Sequence, residues 1–275
     1  MAELMLELSG ITKTFPGVVA LDNVHFELKK GEVHGLVGEN GAGKSTLINI
    51  MSGLLQPDSG SYLLKGETLR SLNPMRARQL GIAVVHQEPK LVPHLSIAEN
   101  VFSGRLPLTR SGFVDWPALF REARIFIKKM GFNWDPATPV SSLSLGERQI
   151  VAIIKALFSN AELIILDEPT PSLTMREVEI LFEFVRELKF RGVSFVYISH
   201  YLEEVFRVCD RVTVMRDGRV VATKPVNELN LDVLVELMVG SVAMYPCCVS
   251  HPTAAGVSHC GAASGHVPVI DGELC

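Results

Sequence analysis

Basic residues are in deficit in this chain: 26 Lys and Arg against 30 Asp and Glu leave a formal net charge of −4 and a pI near 6.1. A nucleic-acid partner would favour a basic face, so none is expected. Long apolar runs are also missing. Apolar residues make up 47% of the 275 residues and mean hydropathy is +0.26, yet no uninterrupted stretch approaches the roughly 18 residues that span a bilayer. Any membrane link is therefore expected to run through a partner. The opening Met1-Ala2-Glu3-Leu4 lacks the basic start of a signal peptide. Cysteine is scarce too: Cys209 stands alone upstream, and Cys247, Cys248, Cys260 and Cys275 fall in the last 30 residues with His251, His259 and His266. No C-x-x-C or H-x-x-x-H spacing occurs among them, so the pattern of a zinc site is absent and the segment 246–275 reads as a disordered tail.

What is present is concentrated at one place. Gly38-Glu39-Asn40-Gly41-Ala42-Gly43-Lys44-Ser45-Thr46 matches G-x-x-x-x-G-K-[S/T] in full. The apolar run 33–37 leads in as a strand, and residues 47–51 lead out as a helix that Gly53 can end in a left-handed cap. Glycines 38, 41 and 43 let the backbone turn successive N–H groups toward phosphate oxygens, and the helix N-terminus adds partial positive charge. Lys44 reaches the β and γ phosphates, and the Ser45 hydroxyl is placed for Mg²⁺.

A second element is Leu163-Ile164-Ile165-Leu166-Asp167-Glu168. Its unbroken apolar run predicts a parallel strand covered on both faces. Ligands of doubly wound sheets bind at the carboxyl ends of such strands, which puts both acids beside the phosphate loop. Asp167 can hold the metal, directly or through water, and Glu168 can orient and deprotonate a water attacking the γ-phosphate.

Elsewhere the first 30 residues alternate as strands (Val24-His25-Phe26-Glu27-Leu28), and Tyr62-Leu63-Leu64 before Lys65-Gly66 suggests a hairpin. Helices are expected over 117–130 and 148–158, with Ser144 and Glu147 as a capping box opening the second. Residues 212–216, Asp217-Gly218 and 219–222 read as a hairpin, and 231–239 as a helix ended by Gly240.

These motifs, with Phe15-Pro16-Gly17-Val18-Val19-Ala20-Leu21, Val85-His86-Gln87-Glu88-Pro89, Leu143-Ser144-Leu145-Gly146-Glu147-Arg148-Gln149, Asp167-Glu168-Pro169-Thr170, Tyr197-Ile198-Ser199-His200 and Met215-Arg216-Asp217-Gly218, carry a resemblance in both order and spacing. From about residue 3 to 245 the chain resembles the nucleotide-binding subunit of ABC transporters, in particular the first ATPase half of ribose, galactose and xylose importers. The resemblance implies an α/β P-loop NTPase fold of ABC type: a mainly parallel sheet with an antiparallel β flank and a helical subdomain over about 90–160. The domain would run 1–245, with 246–275 a disordered or aberrant ending.

The resemblance also implies roles. Phe15 matches the aromatic that stacks on adenine, against the alternative of a core aromatic. Gln87 matches the glutamine that senses Mg²⁺ and the attacking water, on a loop touching the membrane partner. His200 matches the histidine that contacts the γ-phosphate and supports Glu168. Ser144 and Gly146 belong to the signature that reads ATP bound to an opposite subunit, which is compatible with a helix cap that yields to phosphate. Leu145 stands where glycine is usual, Glu147 where glutamine is usual, and Thr174 where an aspartate is common. The implied function is hydrolysis of ATP with Mg²⁺, powering sugar import through a separate permease at the cytoplasmic side of the membrane. Implied partners are the permease, a second ATPase domain (a homodimer or paired half) and, indirectly, an extracellular or periplasmic sugar-binding protein. Two other readings are an inactive or truncated half-module, since one phosphate loop is present, and a soluble translation or repair ABC protein, which would show a second ATPase half or a long coiled coil.

Overall fold

The computed structural model describes residues 3–240, and the expectation placed on 246–275 lies outside them. Strands β1 (Leu4–Phe15), β2 (Val18–Lys29) and β3 (Val33–Gly38) lead into helix α1 (Lys44–Met51). Next come β4 (Ser59–Leu64), β5 (Glu67–Thr68), α2 (Pro74–Gln79) and β6 (Ile82–Val85). Three helices follow, α3 (Ile97–Val101), α4 (Trp116–Lys129) and α5 (Leu145–Leu157), before β7 (Leu163–Asp167), α6 (Met175–Phe190), β8 (Ser194–Ile198) and α7 (Leu202–Val208). The hairpin β9 (Arg211–Arg216) and β10 (Arg219–Pro225) precedes α8 (Leu231–Val239).

The strands form two sheets. One is antiparallel in the order β2-β1-β4-β5; the other runs β10-β9-β3-β8-β7-β6 and is parallel except for the β9–β10 hairpin. The mainly parallel sheet and the antiparallel flank read from the sequence are both there. Side chains of β7 and β8 alternate between two apolar layers, as the strand period of two requires. Ile164, Leu166, Phe195 and Tyr197 pack with Ile97, Leu119, Ile150 and Phe182 of the helices on one face. Leu163, Ile165, Val196 and Ile198 pack on the other with Leu47 of α1 and with Leu8 and Phe26 of the antiparallel sheet. Covered on both faces, these strands need apolar side chains at every position, which is why the run 163–166 does not alternate.

Parallel register sets the site. Leu36 pairs with Ile198, and Ile198 pairs in turn with Asp167. The carboxyl ends of β3, β8 and β7 therefore lie side by side, and the residues that follow them emerge at one edge.

Element boundaries depart from expectation at α5. Helix was expected over 148–158, whereas it begins at Leu145. The capping box on Ser144 closes the first turn directly behind the cap, while the apolar periodicity starts only at Ile150. Thr174 has the same function for α6, with Glu177 as its capping partner. Thr is a preferred N-cap residue, though it ranks below Asp, so the cap that an aspartate at this place could make is made here by Thr174.

Candidate functional site

The chain leaves β3 at Gly38 and turns into α1 through Gly41 (φ 85°) and Gly43 (φ 99°). Gly43 is constrained as well as turned: a Cβ there would lie 2.7 Å from the Ala20 carbonyl oxygen and 2.8 Å from Leu21 Cδ2. It is also the N-cap of α1 and offers no side-chain hydrogen bond, which leaves first-turn N–H groups open to an anion. Lys44 Nζ donates to the carbonyls of Gly38 (2.7 Å) and Glu39 (2.9 Å). Burial lowers the Lys44 ammonium pKa from its ordinary range, while Glu168 and Asp167 push it back up.

Asp167 ends β7 and Glu168 follows in a left-handed conformation (φ 46°), its amide donating to the Ile198 carbonyl at 3.0 Å. A left-handed backbone on a glutamate is costly and recurs at functional turns. Burial raises the Asp167 carboxyl pKa, the Glu168 charge raises it further, and Lys44 opposes both. His200 follows β8, and its Nδ1 sits 3.3 Å from Glu168 Oε2.

A cleft of about 570 Å³ joins these parts. Asn40, Gly41, Gly43, Lys44, Ser45 and Thr46 line it with Gln87, Asp167 and Glu168. Of the other phosphate-loop residues, Gly38, Glu39 and Ala42 frame the loop without lining the cleft, and Ala42 is buried. His200 touches Glu168, is half-exposed and is not among the residues that line the cleft. Ser144 and Gly146 are absent from the lining. They sit at the start of α5, where Glu147 Oε2 accepts from the Ser144 amide (2.8 Å) and hydroxyl (2.9 Å). Gly146 packs against the loop before α6, where a Cβ would lie 2.5 Å from the Ser172 carbonyl oxygen. Leu145, between them, is exposed.

Phe15 ends β1, pairs with Val18 and is 41% exposed, which removes the alternative of a core aromatic. Its ring lies 5.7 Å from the Lys13 ammonium and outside the cleft lining. Val18, Val19 and Ala20, with Asp217 and Gly218, line the cleft instead, and Ala20 and Gly218 lie against the phosphate loop. Backbone bonds from Asp22 N to Gly218 O (2.9 Å) and Gly218 N to Ala42 O (3.3 Å) bring the β9–β10 turn there. Sequence reading identified Asp217-Gly218 as a turn and as one of the motifs of the resemblance, but with no place in the site, because nothing local signals which loop a hairpin tip will meet. In the sequence Gln149 figures only as part of the signature motif; the structure buries it on α5, where it donates to the His86 carbonyl (3.3 Å) and ties the Gln87 loop to the helical layer.

The oxygen donors of Ser45, Asp167 and Gln87 suit a hard divalent cation such as Mg²⁺. Among the described residues no three His, Cys, Asp or Glu side chains cluster as a complete metal cage, so these few protein donors match an ion that shares its coordination with phosphate oxygens and water.

A family model described as ABC transporter matches residues 21–171. A ribose import ATP-binding protein of Rubrobacter xylanophilus is 51% identical over 86% of this chain and 48% of its own length. A putative ribose/galactose/methyl galactoside import ATP-binding protein of Agrobacterium fabrum is 45% identical over 87% of this chain and 47% of its own. The chain thus spans about half the length of the curated relatives it matches. Among solved structures, a nucleotide-free ATP-binding cassette from an ABC transporter superposes with a TM-score of 0.73 at 27% identity, covering 85% of this chain and 98% of that one. A dimeric cassette in a post-hydrolysis state, bound to ADP and Pi, gives 0.72 at 26% identity over 81% and 99%.

Proposed function

The chain belongs to the ABC transporter family, and on that premise we propose that it binds MgATP in the cleft at the carboxyl end of its parallel sheet, hydrolyses it, and powers sugar import through a separate permease. The observation that carries this reading is the convergence of Lys44, Asp167, Glu168 and Gln87 on one cleft, with His200 against Glu168.

In this reading Lys44 exchanges its two carbonyl acceptors for β- and γ-phosphate oxygens, and the open N–H groups of α1 meet the same phosphates. Ser45, Asp167 and Gln87 would hold Mg²⁺, which would supply charge neutralisation on the phosphates. Glu168 accepts a proton from water as the water oxygen bonds to the γ-phosphorus and the bond to the ADP oxygen breaks. His200 keeps the Glu168 carboxylate oriented, and the γ-phosphate contact implied by the family resemblance is assigned to it. Phe15 and the exposed Val18 and Val19 offer the adenine an apolar edge beside the cleft.

Ser144 and Gly146 stand apart from the chain's own cleft, which supports a role toward nucleotide held by a second ATPase domain, as a homodimer or paired half. The loop of Gln87, anchored by Gln149, is the contact assigned to the permease, and a sugar-binding protein acts beyond it. No helix among the described residues is long and apolar enough to cross a membrane; peripheral attachment on the cytoplasmic side is the placement that the reading as an import ATPase assigns. The cassette is assigned residues 1–245, with about 90–160 as its helical subdomain. Phosphate release from MgATP, measured on the full chain alone and with the permease in vesicles, tests this. Absence of both turnover and calorimetric nucleotide binding would overturn it.

A further inference from the structure

One carboxylate outside the cleft gathers groups from both catalytic turns. Glu204 on α7 accepts three hydroxyl hydrogen bonds at Oε2: from Thr170 (3.0 Å), Tyr197 (2.8 Å) and Ser199 (2.8 Å). All three donors are buried. Thr170 lies two residues after Glu168, and Ser199 immediately precedes His200. Tyr197 is on β8, the strand that leads into the His200 turn, paired with Leu166 on the strand that leads into the Glu168 turn, and Ser199 Oγ also accepts from the Tyr201 amide at 2.9 Å. The Glu168 amide to the Ile198 carbonyl (3.0 Å) and the Glu168–His200 contact itself also tie the two turns.

We propose that Glu204 is a positioning residue for hydrolysis: by holding Thr170, Tyr197 and Ser199 on one oxygen, it sets the spacing between the Glu168 turn and the His200 turn. A charged acceptor suits this work, because hydrogen bonds to an ionised carboxylate are shorter and roughly twice as strong as neutral ones. Three buried donors sharing one acceptor also cannot relax independently, so a shift of α7 moves both turns together. The inference rests on the reading of Glu168 as the base. Its content is separate, since it concerns how that base and its histidine are kept in register.

Two measurements on the full chain test it. Backbone hydrogen exchange reads the clamp without reference to activity: in Glu204→Ala the amides of Glu168, Thr170, Ser199 and His200 should exchange faster, with the phosphate-loop amides unchanged. Steady-state turnover reads the consequence. A misplaced base costs on the order of 10²-fold, so kcat should fall by about that factor while affinity for a non-hydrolysable MgATP analogue stays the same. Glu204→Gln, which keeps an acceptor oxygen, should recover part of the loss. In a Glu168→Gln background the added Glu204→Ala change should cost less than about threefold, because residues acting through one another are non-additive. Should Glu204→Ala fail to fold, Thr170→Val removes one donor without removing the charge and should show the same pattern at smaller amplitude. Unchanged exchange at the two turns overturns the proposal, as does a full additive loss on top of Glu168→Gln. A wild-type chain without turnover would instead defeat the ATPase reading and leave the exchange measurement to decide the clamp.

Discussion

Glu168→Gln is the perturbation whose outcome follows most directly from the geometry. Glutamine is nearly isosteric, the Glu168 amide bond to the Ile198 carbonyl is made by backbone, and the His200 ring 3.3 Å away can still hydrogen-bond to a carboxamide. What disappears is the capacity to take a proton from water. A positioned general base contributes roughly 10²–10⁴-fold, so hydrolysis should slow by that factor, or about 3–5 kcal/mol of barrier. Binding should not weaken. Asp167 is held partly protonation-prone by burial and the Glu168 charge, and removing that charge relieves it while also removing a repulsion to the triphosphate. ATP should therefore bind as well or better and accumulate unhydrolysed. Single-turnover phosphate release gives the chemical rate, and calorimetry gives the affinity. A mutant that releases phosphate within threefold of wild type (about 0.65 kcal/mol) would show that the proton goes elsewhere and would refute the assignment.

Lys44→Ala removes the half-buried ammonium at the centre of the phosphate loop and should abolish tight MgATP binding, with calorimetry as the check and retained affinity as the contrary result. Gly43→Ala places a methyl against the Ala20 carbonyl and Leu21 at a left-handed backbone, so it should destabilise the fold by about 1–3 kcal/mol and weaken nucleotide binding; an unshifted Tm would contradict the packing described. Stability should fall as pH drops below about 6.5: burial lowers the pKa of His34, fully buried between Glu32 (3.1 Å) and Thr213 (2.7 Å), with Glu32 opposing, so the unfolded chain takes a proton there that the folded chain refuses. The slope is up to about 1.4 kcal/mol per pH unit for one proton, with His86 adding in the same direction. Denaturant titrations at pH 7.5 and 5.5 should show the loss in wild type and a smaller one in His34→Gln; equal slopes would place the titration elsewhere.

Much of this site was readable from the chain itself, because its parts are local. The phosphate loop, the apolar strand ending in Asp167-Glu168, the capping box on Ser144 and the Asp217-Gly218 turn are each written within about ten residues, where backbone conformation responds to neighbouring side chains. The roles of Gln87, His200 and Phe15 came only through family resemblance, since a lone glutamine, histidine or phenylalanine has no local signature of function. Tertiary structure alone decided how the parts meet. Insertion of β8 between β3 and β7 sets Glu168 against His200, and backbone bonds across more than a hundred residues bring Gly218 to the phosphate loop. The convergence of three hydroxyls on Glu204 and the anchoring of the Gln87 loop by Gln149 are decided in the same way. Strand order and side-chain convergence depend on how whole layers bury their apolar faces, a property of the assembled core that no short stretch of sequence contains.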